Sequence, residues 1–103
     1  MAAIAMFCGG LAIEAKRSGI RVNCVTPSIV KGTPFYDVLM ADPFCSKLFS
    51  KAERLAGLGV VNPEEVADLV TFLATPASAK VTGQTISVNG GISAASPGDA
   101  SRP

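Results

Sequence analysis

The stretch Gly19-Ile20-Arg21-Val22-Asn23-Cys24-Val25-Thr26-Pro27-Ser28 constrains the fold of this chain more than any other. Gly19 follows a long apolar run and suits a left-handed helix end. Ile20, Val22 and Cys24 alternate with Arg21, Asn23 and Val25, a period of two that predicts a strand over 20–25. Pro27 has no N–H to give to a ladder, so pairing is expected to stop there. In open α/β sheets, ligands lie beyond the carboxyl ends of strands. The expected ligand-side loop therefore runs from Ser28 to Thr33.

The preceding run, residues 1–18, reads as a helix with few polar positions. A helix apolar nearly all round is expected to be buried on more than one side. Gly9 and Gly10 weaken its middle by about 1 kcal/mol each relative to alanine and would admit a second backbone. Lys16 and Arg17 suit the negative end of the helix dipole. Glu14 and Lys16 break the apolar run, and no basic segment precedes it. It is thus expected to be a packed helix, neither targeting segment nor membrane span.

Downstream, Phe35, Val38, Leu39 and Met40 predict one short helix. Phe44, Leu48, Phe49, Ala52 and Leu55 predict a second, started by Asp42-Pro43. Apolar residues at helical spacing mark core more often than a ligand surface, so this stripe is expected to pack on the sheet. A third helix is expected over 62–75, with Asn62 and Glu65 at capping-box spacing, Pro63 at its first position and Pro76 beyond its end. Glu64 and Glu65 fit the positive end of that helix dipole better than an acid/base pair. Residues 84–88 read as a second strand, ended by Asn89-Gly90-Gly91. Residues 94–103 read as a disordered tail. Strand, helical segment, helix, strand implies a right-handed crossover between two parallel strands. Two strands are few for a stable sheet, and the other edge of 20–25 would be bare.

Composition sharpens this. The chain has 103 residues, enough for one small domain, yet 49% are hydrophobic, 17% are charged and the mean hydropathy is +0.41. So small a chain has little interior, so some of its apolar surface is expected to be covered. A net charge of +1 leaves no footprint for nucleic acid or an anionic membrane. Three cysteines, at positions 8, 24 and 45, have no metal-ligand spacing. They read as small hydrophobic thiols in a reducing compartment, hence a cytoplasmic protein. Histidine is absent, which excludes a Ser-His-Asp triad and a His-ligated metal within the chain. No metal site is expected.

The block G-I-R-V-N-C-V-T-P, preceded by L-A-I-E-A and followed by T-G-Q-T-I-S-V-N-G-G, resembles the C-terminal part of a classical short-chain dehydrogenase/reductase, of the kind that reduces 3-oxoacyl carrier-protein substrates. The resemblance covers about the first 92 residues. It implies an α/β fold over 1–93: a C-terminal fragment of a Rossmann-type doubly wound parallel sheet, in the order helix, strand, helical lid segment, helix, strand. It further implies an oxidoreductase that moves hydride between NAD or NADP and a small alcohol or ketone, working as a homo-oligomer. In the family a Tyr-x-x-x-Lys pair opens the first helix. Aligned on Leu11-Ala12-Ile13-Glu14, the lysine would fall on Met1 and the tyrosine before it. The family's serine and glycine-rich phosphate loop have no counterpart in these residues, and Tyr36, the single tyrosine, has Met40 four residues on. No catalytic residue is assigned. The chain is expected to be truncated before the catalytic pair, inactive alone, and unable to hold the cofactor tightly.

By the same resemblance, Pro27, Ile29, Val30 and Thr33 would face the nicotinamide end of the cofactor. Main-chain groups near Val30 would meet the carboxamide, and the Thr33 hydroxyl would add a hydrogen bond. Ser28 stands where the family has glycine, and Thr33 comes one residue later than its usual threonine. No substrate-binding residue is assigned. The alternative is a non-catalytic oligomerisation module that keeps the family's subunit contacts without its chemistry.

Overall fold

The computed structural model of the chain describes residues 2–92. In order these form α1 (Ala2–Ala15), β1 (Cys24–Pro27), α2 (Pro34–Ala41), α3 (Pro43–Ala56), α4 (Pro63–Ala74) and β2 (Thr85–Val88). The expected tail, 94–103, lies outside the described residues.

Gly19 ends the first helix as its sequence position requires. A 3₁₀ turn, Lys16–Ser18, continues α1, and Gly19 follows at φ 72°. The Gly19 N–H donates to the Lys16 carbonyl at 3.0 Å, and the Ile20 N–H to the Ala15 carbonyl at 3.1 Å. These two bonds make a Schellman stop, which only a residue free to enter the left-handed region closes cheaply.

The strand begins later than its alternation predicts, and Pro27 lies inside it. The Cys24 N–H donates to the Gln84 carbonyl at 2.8 Å, and the Ser28 N–H to the Val88 carbonyl at 3.0 Å. Equal steps in both strands make the pair parallel, and β1 and β2 constitute the two-stranded sheet. Even-numbered residues of β1 thus face β2. Proline 27 is odd-numbered, so its missing N–H is on the other edge and costs no bond to β2. At the amino end, 20–23 is not ladder because the Val22 N–H donates to the Thr82 hydroxyl at 3.0 Å instead of to a strand.

Two compact units divide the described chain: residues 2–26 with 66–87, and residues 27–65 with 88–92. In the first, α1 turns small residues inward. Ala12 is buried, and Ala5, Cys8 and Ala15, at helical spacing from it, are half-buried. A Cβ placed on Gly83 would meet the Ala12 Cβ at 3.6 Å. The large side chains face out: Ile4, Met6, Phe7, Leu11 and Ile13 are exposed, Phe7 by 70%. Burial on more than one side is therefore not found, because the described residues cover one flank only. Among the described residues nothing comes within 4 Å of a Cβ placed on Gly9 or Gly10, so none of their backbone uses that opening.

Arg21 binds the far end of α4 in this unit. Its guanidinium donates to the Ser78 hydroxyl at 3.0 Å, the Val81 carbonyl at 3.3 Å and the Thr75 carbonyl at 3.4 Å. Ser78, 1% exposed, donates to the Leu73 carbonyl at 2.9 Å. A cation and a hydroxyl thus satisfy carbonyls left over where α4 stops before Pro76. Asn23 joins them, donating to the Val81 carbonyl at 2.9 Å and accepting from the Gln84 N–H at 3.1 Å.

The second unit holds α2 and α3, each entered through a cap and a proline. Thr33 caps α2 by accepting from the Tyr36 N–H at 3.2 Å, with Pro34 first in the helix. Asp42 caps α3 by accepting from the Cys45 N–H at 3.0 Å, with Pro43 first. The expected capping box ahead of α4 forms by half. Glu65 accepts from the Asn62 N–H at 2.8 Å, but the Glu65 N–H goes to the Asn62 carbonyl at 3.0 Å instead of its side chain. The stripe over α2 and α3 does not all pack as expected. Phe35, Val38, Phe44 and Leu48 are exposed, while Phe49 and Leu55 are half-buried and Ala56 is buried. An eight-residue and a fourteen-residue helix have more apolar surface than the rest of the unit covers.

Candidate functional site

The loop leaving β1 is held on both sides of the residues singled out by sequence. Val30 and Val61 form an isolated parallel bridge, in which the Lys31 N–H donates to the Val61 carbonyl at 2.8 Å. In a parallel bridge the flanking residues supply the bonds, so the N–H of Val30 itself points away from Val61. The Val30 carbonyl accepts from the Thr33 hydroxyl at 2.9 Å. That hydroxyl therefore has its one proton engaged, accepts from the Tyr36 N–H, and keeps a single lone pair.

Pro27 is exposed at the end of β1, and Ile29, Val30 and Thr33 are half-buried. Ile29 alone of the four lines the nearest cleft, a cavity of about 40 Å³ walled by Ser28, Phe49, Ala56, Val60 and Ile92, with Glu53 and Asn89 as further polar groups. A space of this size takes a few waters, not a dinucleotide. Its apolar walls come from the inner face of α3, and its rim comes from the turn after β2. Sequence reading missed Phe49, Glu53 and Asn89 as site residues. Asn89-Gly90 is a turn signal at a strand's carboxyl end and could have found the last of them.

Glycine builds the rim. The Leu58 N–H donates to the Gly90 carbonyl at 2.9 Å, and the Gly91 N–H to the Asn89 side chain at 3.0 Å. Gly90 has φ 67° and Gly91 φ 101°. A Cβ on Gly90 would strike the Gly59 carbonyl oxygen, and one on Gly91 the Ala56 carbonyl oxygen. Bare backbone is thus what lets the end of α3 lie against the turn after β2.

Titration is shifted at two places outside the cleft. The Cys45 thiol and N–H hold the Asp42 carboxyl below its usual range, and Asp42 in turn raises the Cys45 thiol. In the first unit, burial and then the neighbouring Cys24 raise the Cys8 thiol. No group of three or more His, Cys, Asp or Glu that could hold a metal occurs among the described residues. No helix among them is long and apolar enough to cross a membrane.

A family model described as enoyl-(acyl carrier protein) reductase matches residues 2–93. Among curated proteins, a tropinone reductase homolog of Arabidopsis thaliana is 42% identical over 82 residues, 80% of this chain and 29% of the relative. Dehydrogenase/reductase SDR family member 4 of Sus scrofa is 38% identical over 81 residues, 79% of this chain and 28% of that protein. This chain belongs to the short-chain dehydrogenase/reductase family. A 3-oxoacyl-[acyl-carrier protein] reductase from Brucella melitensis superposes with TM-score 0.75 at 33% identity, covering 88% of this chain and 32% of that one. At 18% identity, 4-hydroxyisoleucine dehydrogenase complexed with NADH superposes with TM-score 0.78 over 92% of this chain and 38% of its own, a likeness of fold. The α/β reading and the Rossmann-type, parallel-sheet expectation agree with these neighbours. The chain spans less than a third of the length of the curated relatives it matches.

Proposed function

We propose that this chain is the C-terminal part of an NAD(P)-dependent oxidoreductase that moves hydride between a nicotinamide cofactor and a small alcohol or ketone. Its share of the work is to present the nicotinamide-side loop and the substrate lid. One observation carries the reading: the Val30–Val61 bridge and the Thr33 cap fix the loop beyond β1 so that the Val30 N–H turns away from the bridge. A main-chain donor beside a hydroxyl with one lone pair left matches a carboxamide, which offers one C=O and one NH₂. Bound there, the nicotinamide would supply the hydride, while Ile29 would form an apolar wall and Pro27 would end the strand beneath it. The residues present fit the nicotinamide end alone. No glycine-rich loop for the phosphates occurs among the 103 residues, and no tyrosine-lysine pair does either.

The chain alone is accordingly expected to turn over neither NADH nor NADPH with a broad ketone panel. It is expected to bind either no more tightly than about 1 mM, worth roughly 4 kcal/mol. The direct test is amide chemical-shift mapping with nicotinamide mononucleotide. Weak shifts confined to Val30 through Thr33 support the reading; shifts elsewhere, or micromolar affinity for the dinucleotide, overturn it. A second reading, the oligomerisation module, is favoured by the exposed Ile4, Phe7 and Leu11 on α1. We expect self-association or aggregation at low micromolar concentration, because such patches seek cover. A monodisperse 10.5 kDa monomer with a sharp cooperative melt would remove the self-association on which the second reading rests.

A further inference from the structure

We propose that Cys8 and Cys24 are a dithiol pair that closes to a disulfide, fastening α1 to the first strand. The inference stands apart from the nicotinamide reading. Cys8 is on the inner face of α1, one turn before the buried Ala12. Ala12 lies against Gly83, whose N–H donates to the Val22 carbonyl at 2.8 Å. Two residues on, the Cys24 N–H donates to the Gln84 carbonyl. Four residues of helix advance about 6 Å and two of strand about 6.6 Å, so the turn carrying Cys8 falls over Cys24. The Cys24 thiol is accordingly close enough to raise the Cys8 thiol. Cys24 is buried, whereas Cys8 is half-exposed and open to a reagent. The third thiol, Cys45, belongs to the other unit and is hydrogen-bonded to Asp42.

The oxidant is a low-molecular-weight disulfide such as oxidised glutathione. The Cys8 thiolate attacks one sulfur of it, forming a mixed disulfide and expelling one glutathione thiolate. The Cys24 thiolate then attacks the Cys8 sulfur and expels the second. Two thiol protons pass to the two released thiolates, so the protein is oxidised by two electrons and one glutathione disulfide is reduced to two thiols. Because burial raises the Cys8 thiol, the first step is slow at neutral pH and quickens as pH rises.

The test exposes the full chain to oxidised glutathione in buffer and in urea, quenches free thiols by alkylation, and maps linked peptides by mass without reduction. In buffer, the Cys8–Cys24 link is expected to exceed each of the two links to Cys45 by about tenfold, and urea to erase the preference, since proximity is its cause. Cys24→Ser is expected to strand glutathione on Cys8, with no internal link in its place. The same ratio in buffer and urea overturns the proposal. So does a stable glutathione adduct on Cys8 beside reduced Cys24, or a product dominated by links between chains.

Discussion

Each unit is held together internally by its own means. In the first, side chains add to the main-chain bonds: Arg21 reaches Thr75, Ser78 and Val81, between 54 and 60 residues away, and Asn23 reaches Val81 and Gln84. In the second, main chain meets main chain, with Gly90 and Gly91 against the stretch from Ala56 to Gly59. The first unit should therefore be sensitive to side-chain chemistry and the second to any side chain at all. Substitutions at four positions, with Gly59 as a control, break or sharpen this contrast.

The largest effect is expected at Gly90. Alanine there combines a φ of 67° with a strike on the Gly59 carbonyl oxygen. Strain and backbone displacement together should cost about 3 kcal/mol or more. Gly59→Ala is the internal control. Its φ is 89°, but among the described residues nothing lies within 4 Å of the added Cβ, so about 1–2 kcal/mol is expected. Hydrogen exchange at the Leu58 amide reads both. Equal losses in the two variants would mean that φ alone matters and that the close approach does not.

Arg21→Ala comes next, at about 2 kcal/mol, because three charge-assisted bonds are lost at once. Arg21→Lys should recover little of it, since a point charge cannot serve three acceptors that a planar fork reaches together. The acceptors are all neutral, so the loss should persist in high salt more than an ion pair's would. Full rescue by lysine, read from exchange at Gly83 and Gln84, would reduce the hub to a charge at the end of α4.

What could be read in the sequence follows the same division. Gly19, Asp42-Pro43 and Pro63 announce helix ends because capping is settled within four or five residues. The family was legible for a similar reason, as its blocks are short and local. Strand limits were not legible: whether Pro27 interrupts a ladder depends on which edge faces β2, and that parity is set by Gln84 and Val88. Arg21 read only as the polar half of an alternation, since its partners are more than fifty residues distant. Among the loop residues, Thr33 was read for a cofactor hydrogen bond, yet Thr33-Pro34 is also an N-cap followed by a first-turn proline, and the structure forms that cap.

Thr33 accordingly ranks third. Thr33→Val keeps shape but removes the cap and should cost about 1 kcal/mol, with α2 fraying first. Thr33→Ser should restore most of it. If serine instead leaves Tyr36 amide exchange as fast as valine does, the hydroxyl is not what holds α2.

Asp42 gives the smallest effect and the one that depends on pH. Its carboxyl is held below the usual range by the Cys45 thiol and N–H. A depressed folded value means that the carboxylate stabilises the fold above the unfolded value, near 3.9. That contribution is lost as pH falls through the lowered folded value. Cys45 runs the other way. Its thiol is raised by the bond to Asp42, so its contribution is complete below the unfolded cysteine value and fades as pH rises through the raised one. Between the two limits the start of α3 should be indifferent to pH. Asp42→Asn keeps an acceptor for the Cys45 N–H but carries no charge, so it should leave exchange at the Cys45 and Ser46 amides little changed near neutrality. It should also flatten both the acid and the alkaline arms. Asp42→Ala removes the acceptor and should raise exchange at every pH. An asparagine variant that keeps the acid arm would show that the Asp42 carboxylate is not its origin.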